Sequence, residues 1–419
     1  MRAMLKKLLL GLFLLSLIAI SFKYIHGQTE NPARVLLKQR GVNAQNSSVY
    51  AVWAESGEPF AAYQEKMPLI PASTLKIATT YCALKKLGTT HTFKTNFLSE
   101  GAMEAGVIKN LWVQGEGDPS LVIEKLWADV QELKNLGLKK IDGDIIVDAS
   151  TFDTQDYPGR RENNKRAYNA HTSALSLNYN AMPIGRPPHR HYRNIPEADL
   201  FFGNNLKALL KESGIIVAGS VKRGHADGKH LLYTAESKPL SEIIRDMNKF
   251  SNNFIAEQLV KIMGAEFLGA PGTTAKGMTV IKECLQTIGL NPAHFTIENG
   301  SGLSYKNKMS AQDLVKILLA AYHDFKIAPE FISSLSVGGV DGTMRKRKLP
   351  NELKGILRAK TGNLDGDSSL AGFLPTQNGT LAFAILMNHF EGGHGDALRA
   401  QDNVVFDWLK KNKEKGERK

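Results

Sequence analysis

Apolar residues alternating with a period of two lie near both ends of this chain, and the interval between them is filled largely with helical spacing. Residues 48–54 and 59–63 read as strands joined through Glu55-Ser56-Gly57-Glu58, a hairpin signature, while residues 370–373 and 380–387 read as the closing strands of a sheet. Apolar recurrence every three or four residues over 74–87, 240–264, 277–288, 314–325 and 397–412 predicts helices. A strand needs a partner, so the two ends of the chain are expected to complete one sheet. The pattern predicts an α/β or α+β domain, and the absence of any fixed internal period excludes a repeat array.

The middle of the chain adds strand-like runs at 93–98, 107–114, 141–148 and 215–221, and helix-like runs at 121–136 and 198–213. Residues 151–194 break this texture. They are polar and basic, with Pro158-Gly159-Arg160-Arg161 and Arg186-Pro187-Pro188-His189-Arg190-His191 around a short alternating run at 174–180. With 42% hydrophobic and 22% charged residues, wholesale disorder and collagen-like repeats are excluded, and two cysteines in 419 residues exclude a disulfide-stapled mini-scaffold. Cys82 and Cys284 fall in helix-like segments, and their pairing stays open at this level.

The formal charge of +12 points to a nucleic acid, a membrane surface or an acidic polymer as partner. Part of it sits in residues 1–27, where Arg2, Lys6 and Lys7 precede an apolar run and Lys23, with no acidic residue. The run is short for a bilayer span, which needs about 20 residues, so the segment reads as an export signal, with an uncleaved anchor as the alternative. Its removal lowers the charge to about +8 and places the body of the protein in the periplasm or cell envelope.

Three short motifs carry chemistry. Ser73-Thr74-Leu75-Lys76 puts a serine three residues before a lysine at a helix start, so that both side chains share one face. A serine hydroxyl needs a base, and a lysine serves if burial or a second cation lowers its pKa; the plainer reading is a helix cap and a solvated lysine. Ser251-Asn252-Asn253 interrupts two helical runs, where Ser251 also reads as an N-cap. Lys360-Thr361-Gly362-Asn363 precedes a strand, offering a cation and a hydroxyl for a carboxylate and a glycine for close approach of a substrate backbone, or else marking a strand end and turn.

In this order the three motifs resemble those of the penicillin-recognising acyl-serine enzymes. Gly115-Glu116-Gly117-Asp118-Pro119-Ser120-Leu121, Leu175-Ser176-Leu177-Asn178-Tyr179-Asn180, Asn299-Gly300-Ser301-Gly302-Leu303-Ser304 and Gly339-Val340-Asp341-Gly342-Thr343-Met344 narrow the resemblance to the low-molecular-weight class C penicillin-binding proteins, the D-alanyl-D-alanine carboxypeptidases and endopeptidases. The resemblance implies a penicillin-binding/β-lactamase-like transpeptidase fold, an antiparallel sheet flanked by helices. It implies a discontinuous catalytic domain over 28–92 and 234–419, and an inserted domain over 93–233 with 151–194 as a reduced second insertion. Ser73 is the implied nucleophile, Lys76 its base, Ser251 a proton shuttle to the leaving amine, and Asn253 a holder of substrate and Lys76. Lys360 and Thr361 are the implied carboxylate ligands, with Lys360 also lowering the pKa of Lys76, and the N–H groups of Ser73 and Asn363 form the oxyanion hole, beside Gly362. Asn363 departs from the small hydroxyl residue common at its position, and Asn252 from the frequent aspartate.

The implied substrates are peptidoglycan peptides, with β-lactams as covalent inhibitors and no cofactor. A β-lactamase or a non-catalytic wall-binding protein of the same fold are the alternatives. His389, Glu391 and His394 lack metal-site spacing. The basic runs at 345–348 and 410–419 read as solvated faces near an anionic envelope, leaving room for contact with a membrane surface but not implying nucleic acid.

Overall fold

The computed structural model describes residues 33–36, 39, 41–186 and 189–416, so the N-terminal segment read as an export signal, Pro187, Pro188 and the last three residues lie outside the described residues. The central sheet joins both ends of the chain. Strands β1 (Ser47–Trp53) and β2 (Pro59–Tyr63) come from the N-terminal part, and β3 (Ser336–Val337), β4 (Arg358–Leu364), β5 (Asp367–Thr376) and β6 (Gly379–Met387) from the C-terminal part. They run antiparallel in the order β3-β4-β5-β6-β1-β2.

Period-two alternation on β6 buries both faces of this sheet. Ala382, Ala384 and Leu386 face a helical layer, while Leu381, Phe383, Ile385 and Met387 face the opposite side. The helical layer contains α1 (Lys76–Leu87), α2 (Leu240–Lys249), α3 (Asn253–Leu268), α4 (Thr274–Gln286) and α5 (Ala311–His323). The other face is covered by α6 (His394–Gly416), whose Ala400, Val404 and Trp408 are buried. The helical region at 240–264 is two helices, interrupted at Ser251-Asn252-Asn253 as expected; the chain turns at Ser251, whose φ is +54°. Trp408 meets Phe60 and Phe383 edge-on, with ring centroids 6.1 and 5.8 Å apart. Trp408→Ala is expected to lower stability by about 3–5 kcal/mol, read as a reduced midpoint in urea unfolding with the slope unchanged.

One cation in the run expected to be solvated is a core residue. Arg347 lies 2.7 Å from Asp402 and also binds Gln401 and the Leu398 carbonyl, tying the segment before β4 to α6, whereas Arg345, Lys346 and Lys348 are exposed. Cys82 on α1 and Cys284 on α4 are joined, their Cα atoms 5.9 Å apart.

Residues 93–236 carry a separate buried cluster, from Phe97 and Leu111 to Leu206 and Ala235. Its five-stranded mixed sheet runs Val221–Arg223, Ile145–Asp148, Leu111–Gly115, Lys94–Ser99, His230–Glu236, and a small parallel sheet joins Ile216–Val217, Lys140–Ile141 and Val107–Ile108. The single strands expected at 141–148 and 215–221 are each split between the two sheets. Both breaks fall at Gly143 and Gly219, where the Gly219 N–H donates to the Gly143 carbonyl at 2.8 Å and side chains would collide. The chain enters and leaves this region side by side, the Phe93 carbonyl accepting from Ser237 N–H and the His91 carbonyl from Leu240 N–H.

Candidate active site

Ser73 occupies a 3-10 turn, Ala72–Leu75, immediately before α1, and Lys76 opens α1. This turn packs against β4 and β5, and Thr74 Oγ1 bonds Ser369 Oγ on β5 at 3.2 Å. Asn252, rather than Ser251, caps α3, accepting from the Ile255 N–H; Ser251 is thereby released to face the cleft. Two residues beside the key hydroxyl groups are in the left-handed region, Ala72 at φ +47° and Ser251 at +54°, the kind of backbone strain that persists only where the surroundings impose it.

Lys76 Nζ lies 3.0 Å from Ser73 Oγ, 2.7 Å from Asn253 Oδ1 and 2.7 Å from the Ser301 carbonyl. A neutral amine has two N–H groups and one lone pair. Asn253 and Ser301 accept the two hydrogens, which turns the lone pair toward the Ser73 hydroxyl. Asn253 is itself oriented by donating from Nδ2 to the Tyr168 carbonyl at 3.0 Å. Lys360 Nζ donates to Ser251 Oγ at 2.9 Å and to the Thr361 carbonyl at 2.8 Å.

Lys76 and Lys360 are fully buried. Burial lowers Lys76 to about 7 against an upward pull from the Glu257 carboxylate, so the amine is half neutral near neutral pH. Burial, and then repulsion from Lys76, hold Lys360 well below the ordinary lysine range. The resemblance gave Lys360 the part of depressing Lys76; the lowering of Lys76 comes from its burial.

Glu257 escaped the sequence reading. It lies in the interior of α3, four residues after Asn253 and hence on the same helix face, which is the signal that marks it in retrospect. Its carboxylate accepts from the Ser301 N–H at 2.8 Å and the Gly300 N–H at 3.2 Å, fixing the segment whose carbonyl holds Lys76. Burial raises its pKa, opposed by the Ser301 and Gly300 hydrogen bonds and by Lys76.

Strand β3 pairs with β4 only at Arg358 and Ala359, so among the described residues 360–364 form an open edge toward Ser73. An extended peptide can add to such an edge by main-chain hydrogen bonds. The glycine at 362 has a packing reason in the fold itself: a side chain there would come within 2.1 Å of Ser369 Oγ and 2.8 Å of the Pro71 carbonyl, so glycine lets β4 lie against the Ser73 turn. A cavity of about 350 Å³ opens over Ser73, Ser251 and Asn253, walled by Tyr305 and Asp365 on one side. Its other wall, with Arg161, Arg166 and Tyr168, comes from the basic 151–194 stretch, which no local pattern connects to the site. Asn363 is exposed at the same cleft. His389, Glu391 and His394 are exposed surface residues, and among the described residues no group of three or more His, Cys, Asp or Glu side chains is arranged to hold a metal ion.

A serine addressed by a buried lysine beside an open strand edge, within a sheet covered by helices, defines the penicillin-binding class of acyl-serine enzymes. The solved penicillin binding protein 4 of Haemophilus influenzae has this fold: it superposes with a TM-score of 0.81 at 23% identity, covering 91% of this chain and 100% of that one. A predatory peptidoglycan endopeptidase from Bdellovibrio bacteriovorus superposes with a TM-score of 0.61 at 18% identity, covering 87% and 92%. The model of the D-Ala-D-Ala carboxypeptidase 3 (S13) family matches residues 30–191 and 181–409, and the chain belongs to that family of serine peptidases. It is 29% identical over 450 residues to the D-alanyl-D-alanine carboxypeptidase of Actinomadura sp. (strain R39), across 88% of this chain and 82% of that relative. It is 26% identical over 430 residues to the carboxypeptidase DacB of Haemophilus influenzae, across 85% and 88%.

Proposed function

We propose that Ser73, Lys76, Ser251, Asn253 and Lys360 carry out the D-alanyl-D-alanine carboxypeptidase reaction of the family, and endopeptidase cleavage of the D-alanyl bond that joins crosslinked stem peptides. The buried Lys76 Nζ, 3.0 Å from Ser73 Oγ and with its pKa lowered to about 7, is the observation that carries this reading. Ser73 Oγ attacks the carbonyl carbon of the penultimate D-alanine while its proton passes to Lys76 Nζ. The oxyanion formed is met by the N–H groups of Ser73 and Asn363. The C–N bond then breaks, the leaving amine takes through Ser251 the proton held by Lys76, which returns Lys76 to its neutral form, and D-alanine departs with its carboxylate released from Lys360 and Thr361. Water adds to the acyl ester with Lys76 again taking a proton, and Ser73 Oγ recovers one as it leaves.

In this reading residues 28–92 and 234–419 form the catalytic domain and 93–233 the inserted one, supported by the separate apolar cluster of the latter. β-Lactams are proposed as covalent inhibitors at Ser73, since the related penicillin binding protein 4 has been solved in complex with a β-lactam. The basic, apolar N-terminal text supports export to the periplasm or cell envelope, where the remaining positive charge suits carboxylate-rich peptidoglycan and an anionic membrane surface. The purified protein incubated with intact sacculi and with a D-Ala-D-Ala pentapeptide is expected to release free D-alanine and a shortened peptide. Release from neither substrate, with the protein folded, would reduce it to a wall-binding relative, and rapid turnover of penicillin without peptide cleavage would make it a β-lactamase.

A further inference from the structure

We propose that Thr343 is a second hydroxyl ligand of the substrate's terminal carboxylate, acting beside Thr361; the inference rests on the Ser73 acyl-enzyme reading and assigns a task to the 339–344 motif that this reading leaves idle. Thr361 Oγ1 donates to Thr343 Oγ1 at 2.8 Å, at the end of the open β4 edge beside Lys360. Thr343 is exposed, and among the described residues its other polar side-chain contact is a 3.3 Å approach to Ser336 Oγ. Each hydroxyl has one freely rotating proton and acceptor lone pairs. In the free protein Thr361 spends its proton on Thr343; a bound carboxylate is a stronger acceptor, with two oxygens for two hydroxyls this close together.

The surrounding loop fixes Thr343 where it is. Asp341 accepts from Val337 N–H at 2.7 Å and from Lys249 Nζ at 2.6 Å, while Lys249 also donates to the Leu335 carbonyl, so the nearest acid is already engaged. Gly342 has φ +55°, and a Cβ there would lie 2.4 Å from Ser336 Oγ and 2.6 Å from the Lys249 carbonyl. Met344 on the other side is fully buried. Only glycine lets the backbone turn this tightly between those anchors and still present the next hydroxyl to Thr361. The strand itself offers a single hydroxyl here, since residue 363, two positions on and so on the same face as Thr361, is asparagine.

The test compares second-order acylation by benzylpenicillin, whose carboxylate stands for the terminal one, with acylation by its methyl ester. Thr343→Val is expected to slow the acid about tenfold and the ester hardly at all, because a hydrogen bond to a charged group is lost only with the acid. Thr343→Ser, which keeps the hydroxyl, should remain within about twofold of the parent with both compounds. On the pentapeptide, Thr343→Val should raise KM and leave kcat close to the parent value, since the contact is the same before and during reaction. Equal slowing of acid and ester, or no slowing, overturns the assignment. A parent protein that forms no adduct with either compound fails the acyl-enzyme reading itself, which is a different result.

Discussion

Ser73→Ala is expected to abolish covalent labelling by a fluorescent penicillin and to lower D-alanine release by at least about 10⁴-fold, the scale seen when an acyl-enzyme nucleophile is removed. The substitution deletes one oxygen from a half-buried side chain, and the 3-10 turn that carries it is held by neighbours, the Thr74 hydroxyl bonding both the Pro71 carbonyl and Ser369. Thermal unfolding should therefore be almost unchanged, which separates loss of chemistry from loss of fold. Ser333→Ala, an exposed serine on the Ala328–Ser334 helix, should label like the parent. Persistence of the label in Ser73→Ala would exclude Ser73 as nucleophile.

Lys76→Met comes next, with an expected 10²- to 10⁴-fold slowing of acylation, the usual worth of a positioned general base. Methionine, one atom shorter and unbranched like lysine, suits the buried site, so the effect should lie in the rate. The parent protein should also show a pH profile that belongs to this lysine. With its pKa lowered to about 7, Lys76 is protonated and unable to accept the Ser73 proton in acid. Acylation should thus fall about tenfold per pH unit below 7 and level off above it. Lys76→Met should lose that limb and show a low, nearly flat rate. An unshifted limb in Lys76→Met would assign the base to another group.

Local patterns made the two-ended sheet legible, because β1 and β6 keep a strict period of two, and they made Ser73 and Lys76 legible, because a three-residue helical interval fixes their juxtaposition. The same local reading failed where contacts are set by the tertiary fold. Nothing near Tyr168 marks its carbonyl as the acceptor that orients Asn253, since the two meet only when the 151–194 stretch folds over α3. Arg347 sits in a run of cations, and only the approach of Asp402 from the last helix distinguishes it from its exposed neighbours. Glu257 was in reach of a helical-face argument from Asn253, but its partners on residues 300 and 301 are distant in sequence. The order of the three motifs therefore carried more information than any of their surroundings, and the family resemblance supplied what spacing alone does not encode.

The turn that carries Ser73 is translated early, yet the strand that closes the cleft over it comes from the last part of the chain: Thr74 meets Ser369 across 295 steps of sequence. Closing so long a loop is slow compared with making α1 or the inserted sheet. During synthesis, a partly emerged chain holds Ser73 without Lys360 or the β4 edge. Hydrolytic competence becomes a late event in the biogenesis of the molecule, timed by arrival of its C-terminal strands. A product shortened at that end should be inert toward the cell wall even where its serine and lysine are intact.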